Sequence, residues 1–140
     1  MRKLVNRALW IGNAGDLREP RMICDAGIES VVELADNEAF AVLPRDLMRC
    51  RFPLSDGGEN PAWLLQLAAR TVAACLEANV PILVCCSAGM SRSVCVAAAG
   101  VSLAERISFT QALSLVCDGG PADVSPYLFE QIQQSISSDT

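Results

Sequence analysis

The chain has 140 residues, of which 51% are hydrophobic and 19% are charged. This balance predicts one folded domain over residues 1–140 and excludes disorder as the dominant state. The net charge of −5 argues against a nucleic-acid partner, which needs a basic surface, and the apolar runs are far shorter than the roughly 20 residues that span a membrane.

The first half of the chain predicts strands joined by short connections. Residues 4–11 are rich in strand formers, and a short helix is predicted within residues 16–26. Residues 28–34 predict a second strand, and residues 36–45 a helix or an irregular connection. Residues 47–54 alternate apolar side chains with arginines, which is typical of a half-buried strand.

The second half predicts long helices around a buried strand. Asn60 is followed by proline, the pattern of an N-cap and a first helical position. The predicted elements are a helix over 61–78, a continuous apolar strand over 82–85, and helices over 92–103, 108–117 (with Ser108 as N-cap) and 125–135.

This alternation predicts an α/β fold with a central mixed, mostly parallel sheet of four to five strands flanked by helices. Strand 47–54, helix 61–78 and strand 82–85 form a βαβ unit, so the two strands are expected to be parallel. Their carboxyl ends then lie at one edge of the sheet, where open α/β sheets bind ligands. Asp56 and Cys86 follow these two strands, so we expect their loops to be neighbours.

Cysteine and histidine usage limits the chemistry. The chain has seven cysteines and no histidine. An odd cysteine count and a start without an apolar segment do not fit a secreted protein, so we expect a cytoplasmic one. Without histidine, no Ser-His or Cys-His catalytic pair can form, and any nucleophile must be activated in another way.

The segment between the last predicted strand and its following helix carries the strongest chemical signal: Cys86-Ser87-Ala88-Gly89-Met90-Ser91-Arg92-Ser93. Its small residues let successive backbone amides point inward and form an anion-binding nest, to which the helix N-terminus adds its positive dipole end. Arg92 supplies a fork of donors for two oxygens of one anion. We therefore expect residues 86–92 to bind phosphate or a similar oxyanion, in a field that favours the thiolate of Cys86.

Residues 84–93 resemble the signature of the dual-specificity protein phosphatases, Val-His-Cys-x-Ala-Gly-x-Ser-Arg-Ser, except that Cys85 stands where the family has histidine. Residues 9–14, 52–56 and 124–126 are similar to further motifs of the family and occur in the family's order. The resemblance covers nearly the whole chain. It implies the phosphatase-type α/β fold and hydrolysis of phosphate monoesters without a metal or cofactor.

The resemblance also implies a role for each site residue. Cys86 attacks phosphorus and forms a phosphocysteine, while Arg92 and the loop amides hold the phosphoryl oxygens. Asp56 protonates the leaving oxygen and then takes a proton from water. Ser93 stabilises the departing thiolate, and Glu59 is the alternative acid. We interpret Cys85 as a buried packing residue.

The expected partner is a phosphoprotein or a small phosphomonoester, because the positions of the loop between Cys86 and Arg92 carry no charge. A shallow pocket would accept phosphotyrosine and also phosphoserine or phosphothreonine. We interpret the basic cluster of Arg45, Arg49 and Arg51 as a solvated strand face rather than a second phosphate site. The alternatives are a pseudophosphatase that binds phosphate with little turnover, and a rhodanese-type sulfurtransferase, whose loop is typically one residue shorter.

Overall fold

The computed structural model describes residues 1–39 and 41–137, and its centre is a five-stranded sheet. The strands are β1 (Arg2–Lys3), β2 (Leu9–Asn13), β3 (Ser30–Ala35), β4 (Met48–Leu54) and β5 (Ile82–Cys86). They lie in the order β1-β2-β5-β3-β4. Only the β1–β2 pair is antiparallel; the other three pairs within the sheet are parallel. The predicted α/β class with a mixed, mostly parallel sheet is confirmed.

The helices agree closely with the prediction. They are a short 3-10 helix (Asp16–Arg18), α1 (Pro20–Asp25), α2 (Ala62–Glu77), α3 (Arg92–Glu105), α4 (Phe109–Asp118) and α5 (Pro126–Ser137). Ser108 caps α4 as predicted: its hydroxyl accepts from the amide of Gln111 at 3.1 Å, and the Gln111 side chain accepts from the amide of Ser108 at 3.2 Å. No helix in the described part of the chain is long and apolar enough to cross a membrane.

Both faces of the sheet are covered. The larger apolar cluster joins the sheet to α2, α3, α4 and α5, and a smaller one joins it to the 3-10 helix and α1. All residues of β3 and β5 are buried, as expected for central strands between two layers. α3 is buried from Arg92 to Ser102, so the helix that begins at the end of the predicted anion-binding segment 86–92 is part of the core.

β3 lies between the two strands of the predicted βαβ unit. β4 and β5 are parallel to β3 and therefore to each other. The connections that follow β3, β4 and β5 thus emerge at one edge of the sheet. The described residues of the predicted helix or connection 36–45 form no helix, and the start of this segment lies at the candidate site.

Candidate active site

Cys86 is the last residue of β5, and its thiol lies inside the loop of residues 86–92, the predicted phosphate-binding segment, which is called the phosphate loop below. The amide of Gly89 donates to Sγ of Cys86 at 3.2 Å, and the Ser93 hydroxyl is hydrogen-bonded to the same sulfur at 3.2 Å. Ser93 is fully buried. A thiolate at Cys86 would accept from the Gly89 amide, and the Ser93 hydroxyl lies where it can donate to the same sulfur, which is the position that the resemblance implies for Ser93.

The tight turn of the phosphate loop depends on Gly89. Its φ of 74° lies in the left-handed region, which side chains rarely adopt. A Cβ at this position would also lie 2.9 Å from the carbonyl oxygen of Gly12, on β2. Only glycine lets the loop turn its amide onto the sulfur while packing against the neighbouring strand.

Arg92 begins α3 and is only 8% exposed. Its Nη1 donates to the carbonyl oxygen of Leu54 at 2.9 Å and to Oδ1 of Asp36 at 3.1 Å, and its Nη2 donates to Oγ of Ser87 at 3.0 Å. A buried cation needs such partners, because desolvation without them is costly. The guanidinium is thereby held between the phosphate loop and the ends of β3 and β4.

The connection after β3 contributes polar groups that the sequence analysis did not identify. Oγ of Ser87 lies 3.1 Å from Oδ1 of Asn37 and 3.0 Å from Oε2 of Glu38, and Asp36 forms the ion pair with Arg92. The available signal was an Asp-Asn pair placed directly after a buried strand, at the edge where α/β sheets bind ligands. These residues surround Ser87 and Arg92 with acceptors.

Asp56, the predicted acid, is exposed and reaches the phosphate loop. Its Oδ1 accepts a hydrogen bond from Oγ of Ser91 at 2.5 Å. Among the described residues, no hydrogen bond joins Glu59 to the phosphate loop. The contact geometry therefore favours Asp56 over Glu59 as the acid.

Asn60 does not cap α2, so that prediction is wrong. α2 begins after Pro61 without a side-chain cap. The Asn60 amide instead closes the acid loop of residues 55–60, accepting from the amide of Ser55 at 2.8 Å and donating to its carbonyl oxygen at 2.8 Å. Asn60 also donates to Gln131 at 3.1 Å, and Gln131 donates to the carbonyl oxygen of Gly58 at 3.1 Å. α5 thus braces the loop that carries Asp56.

Arg49 and Arg51 do not form a solvated strand face, so the interpretation of the arginine cluster is wrong for these two residues. Arg49 forms an ion pair with the buried Glu33 and donates to the carbonyl oxygen of Ala41 at 2.5 Å. This hydrogen-bonded pairing raises the pKa of Arg49. Arg51 donates to the carbonyl oxygen of Glu38 at 3.1 Å. Both side chains hold the connection after β3 against the sheet, and only Arg45 is exposed.

Cys85, in place of the family's histidine, is 2% exposed. It packs in the smaller apolar cluster with Leu17 and Leu83. Burial, with a smaller contribution from the nearby charge of Asp16, raises the pKa of the Cys85 thiol. The packing interpretation of Cys85 is confirmed.

Comparison with known proteins gives matches at the level of structure. No protein-family model matches the chain, and no curated protein matches it in sequence. The structure of human DUSP28 superposes with a TM-score of 0.84 at 23% identity, covering 96% of this chain and 95% of that one. A mouse dual-specificity phosphatase complexed with zinc tungstate has a TM-score of 0.80 at 25% identity, covering 94% and 83%.

A third similar structure is the human tyrosine phosphatase-like serine/threonine/tyrosine-interacting protein. It has a TM-score of 0.79 at 15% identity and covers 94% of this chain and 93% of its own. The chain therefore has the fold of the dual-specificity phosphatases, as the resemblance of residues 84–93 predicts.

Proposed function

We propose that this protein is a phosphatase that hydrolyses phosphate monoesters on proteins through a phosphocysteine intermediate on Cys86. The observation that carries the proposal is the surroundings of Sγ of Cys86: the Gly89 amide donates to it at 3.2 Å, and the Ser93 hydroxyl, which can donate to it once the thiol has lost its proton, lies at 3.2 Å. Donors aimed at a sulfur stabilise its anionic form, which is the nucleophile. The similarity in fold to dual-specificity phosphatases supports phosphatase activity.

In the first step, the phosphate loop and Arg92 bind the phosphoryl oxygens and place phosphorus over Sγ of Cys86. The thiolate attacks, so that the S–P bond forms while the bond from phosphorus to the leaving oxygen breaks. Asp56, held at the loop by Ser91, gives its proton to the leaving oxygen. The products are the dephosphorylated side chain and phosphocysteine.

In the second step, water attacks the phosphocysteine and the carboxylate of Asp56 takes one of its protons. The P–S bond breaks and inorganic phosphate leaves. The departing thiolate regains the hydrogen bonds of Ser93 and Gly89. The same two donors thus prepare the nucleophile in the first step and the leaving group in the second.

The charges around the phosphate loop favour a substrate with a single phosphate. Asp36 and Asp56 are exposed and lie against Arg92 and Ser91, respectively, and Glu38 lies against Ser87. Carboxylates on two sides of the loop repel additional phosphates nearby. We therefore favour phosphotyrosine in proteins, together with phosphoserine or phosphothreonine, over polyanions.

A phosphate-binding protein with little turnover is the second candidate. One observation favours it: Nη1 of Arg92 already pairs with Asp36 at 3.1 Å, so part of the cation's charge is neutralised before phosphate binds. Bound phosphate would have to share the guanidinium with this carboxylate, which weakens the stabilisation of the transition state.

The two candidates are separated by comparing wild type with Cys86→Ser. We expect wild type to hydrolyse p-nitrophenyl phosphate and a phosphotyrosine peptide, and the variant to lose at least roughly 10³-fold in kcat because it lacks the nucleophile. Calorimetric binding of tungstate should persist in Cys86→Ser, since the loop amides and Arg92 remain.

Cys24→Ser is the matched control, because Cys24 is exposed and lies on α1, outside the site; it should retain wild-type turnover. Equal activity of Cys86→Ser and wild type contradicts covalent catalysis. Tungstate binding by a wild-type protein with no turnover supports the phosphate-binding alternative.

A further inference from the structure

We infer that Ser91 is a positioning residue that determines which carboxyl oxygen of Asp56 carries the catalytic proton, an inference that rests on the proposed function. Oγ of Ser91 lies between two partners. It accepts a hydrogen bond from the backbone amide of Ser125 at 3.0 Å and donates to Oδ1 of Asp56 at 2.5 Å.

The direction of these hydrogen bonds follows from the available protons. A serine hydroxyl has one proton to donate and two lone pairs to accept. The Ser125 amide can only donate, so it uses a lone pair of Oγ and leaves the hydroxyl proton for another acceptor. Oδ1 of Asp56 is that acceptor. When Asp56 is protonated, its own proton therefore belongs on Oδ2.

The amide of Ser125 is itself held in place. The backbone amide of Asp123 donates to the carbonyl oxygen of Met90 at 2.8 Å, which ties the segment before α5 to the phosphate loop. Oγ of Ser125 accepts from the amide of Leu128 at 3.4 Å in the first turn of α5. The Ser125 amide, which sets the orientation of the Ser91 hydroxyl, is thus itself held by hydrogen bonds on both sides of it in the chain.

This arrangement connects the acid to the phosphoryl group it serves. Ser91 lies directly before Arg92 in the loop that is proposed to hold the phosphate. In the first step the Oδ2 proton moves to the leaving oxygen, and in the second step Oδ2 takes a proton from water. The Ser91 proton stays on Oγ throughout, so the protons balance over the cycle and Ser91 acts only through Asp56.

The test compares Ser91→Ala and Ser91→Thr, assayed with a phosphoserine peptide and with p-nitrophenyl phosphate. A serine alkoxide is a poor leaving group and needs the proton, whereas p-nitrophenolate does not. We expect Ser91→Ala to lose about 10-fold or more in kcat on phosphoserine, part of the 10²–10⁴ that general acid catalysis supplies, and about 2-fold or less on the aryl ester. Ser91→Thr keeps the hydroxyl and should restore turnover.

The contrast between the two leaving groups gives a readout that a merely structural role would not move. A distorted phosphate loop would slow both substrates alike, because both would bind through the same phosphate group. Loss of proton delivery slows the substrate whose leaving oxygen needs the proton, and Ser91→Thr should return its turnover toward that of wild type. Ser91→Cys, with a weak S–H donor, should resemble Ser91→Ala and replaces it if the alanine variant does not fold.

Ser114→Ala, at an exposed position on α4, is the control and should match wild type. Equal losses on both substrates, or wild-type kinetics in Ser91→Ala, overturn the role of Ser91. If Asp56→Asn shows the leaving-group effect while Ser91→Ala does not, the inference fails and the proposed function stands. If wild type hydrolyses neither substrate, both fail.

Discussion

At the scale of single residues, Cys85 and Cys86 are neighbours in β5 whose side chains have different surroundings. Neighbouring side chains of a strand point to opposite faces, and these two thiols belong to different apolar clusters. Cys85 packs on the face of the sheet that the 3-10 helix and α1 cover, where burial raises the pKa of its thiol. Cys86 ends the strand, where Ser93 and Gly89 meet its sulfur. The burial of Cys85 could be predicted from strand alternation, whereas the role predicted for Cys86 depends on the sequence of the loop that follows it.

The charge of Asp36 should weaken the binding of phosphate to Arg92. Its carboxylate pairs with Nη1 of Arg92 at 3.1 Å, with side-chain exposures of 43% for Asp36 and 9% for Arg92. Asp36→Asn keeps an acceptor at this place but removes the charge that competes with bound phosphate. Ion pairs with an exposed partner contribute about 0.2–1 kcal/mol, so phosphate should bind roughly 1.4- to 5-fold more tightly. Competitive inhibition of p-nitrophenyl phosphate hydrolysis by phosphate measures this.

Asp25→Asn is the matched control, since Asp25 is an exposed residue at the end of α1, and its inhibition constant should not change. Weaker phosphate binding by Asp36→Asn would contradict the prediction. It would mean that the charge of Asp36 is needed to orient Arg92 and not only to compensate it.

At the scale of elements, the packing of α2 on α3 depends on Gly100. A Cβ added there would lie 2.3 Å from Cγ1 of Val72 and 3.3 Å from the backbone nitrogen of Ala73. The helices would have to move apart, and overpacking a dense core costs about 1–3 kcal/mol. Gly100→Ala should lower the free energy of unfolding by this amount in urea titrations, although alanine is the better helix former.

Gly57→Ala is the matched control, because an added Cβ there has no neighbour within 4 Å; we expect a change within about 0.5 kcal/mol. Val72→Ala removes Cγ1, the atom nearest to the added Cβ, and keeps Cβ at 2.6 Å, so it relieves part of the overlap and the double variant should be more stable than the sum of the single effects. Additive losses would show that the contact between Gly100 and Val72 is not the cause.

The elements also show which features were accessible from sequence. The Ser108 cap was predicted because its partner, Gln111, lies in the same helical turn. Asn60 before Pro61 has the same local signal, but its amide closes the acid loop and contacts Gln131, 71 residues away. Asp36 was missed because strand order is not local: only the insertion of β3 between β4 and β5 brings it to Arg92.

At the scale of the whole molecule, an ion pair joins parts of the chain that are distant in sequence. Arg7, between β1 and β2, donates through Nε and Nη2 to both carboxyl oxygens of Glu105 at the end of α3, at 2.5 and 2.7 Å. The hydrogen-bonded Arg7 side chain lowers the pKa of Glu105. The pair therefore stabilises the folded chain when Glu105 is ionised.

The lowered pKa of Glu105 determines how the stability of the folded chain changes with pH. A carboxyl with a lowered folded pKa contributes its full stability above its unfolded pKa, here 4.5, and loses it as pH falls through the folded value. The difference in unfolding free energy between wild type and Glu105→Gln should be constant from pH 7 to about pH 5. It should then disappear below that range. Its size should be small, because the Glu105 side chain is 37% exposed.

Chemical denaturation at a series of pH values measures this difference, with Glu77→Gln at the exposed end of α2 as the control. A difference that grows as pH falls would contradict the assignment. Arg7 and Glu105 lie away from the phosphate loop. The activity of Glu105→Gln and of Glu77→Gln at neutral pH should therefore equal that of wild type.

The strand order has a consequence for how the chain folds. β5 pairs with β2 on one side and with β3 on the other, so β1–β2 and β3–β4 are separate two-stranded ribbons until β5 enters between them. Such ribbons are marginal alone and expose open edges, and parallel pairing of distant segments is slow. A nascent chain must therefore extend past Cys86 before its sheet can close. Closure of the sheet and construction of the phosphate loop are one event, and a chain stalled earlier in synthesis has neither.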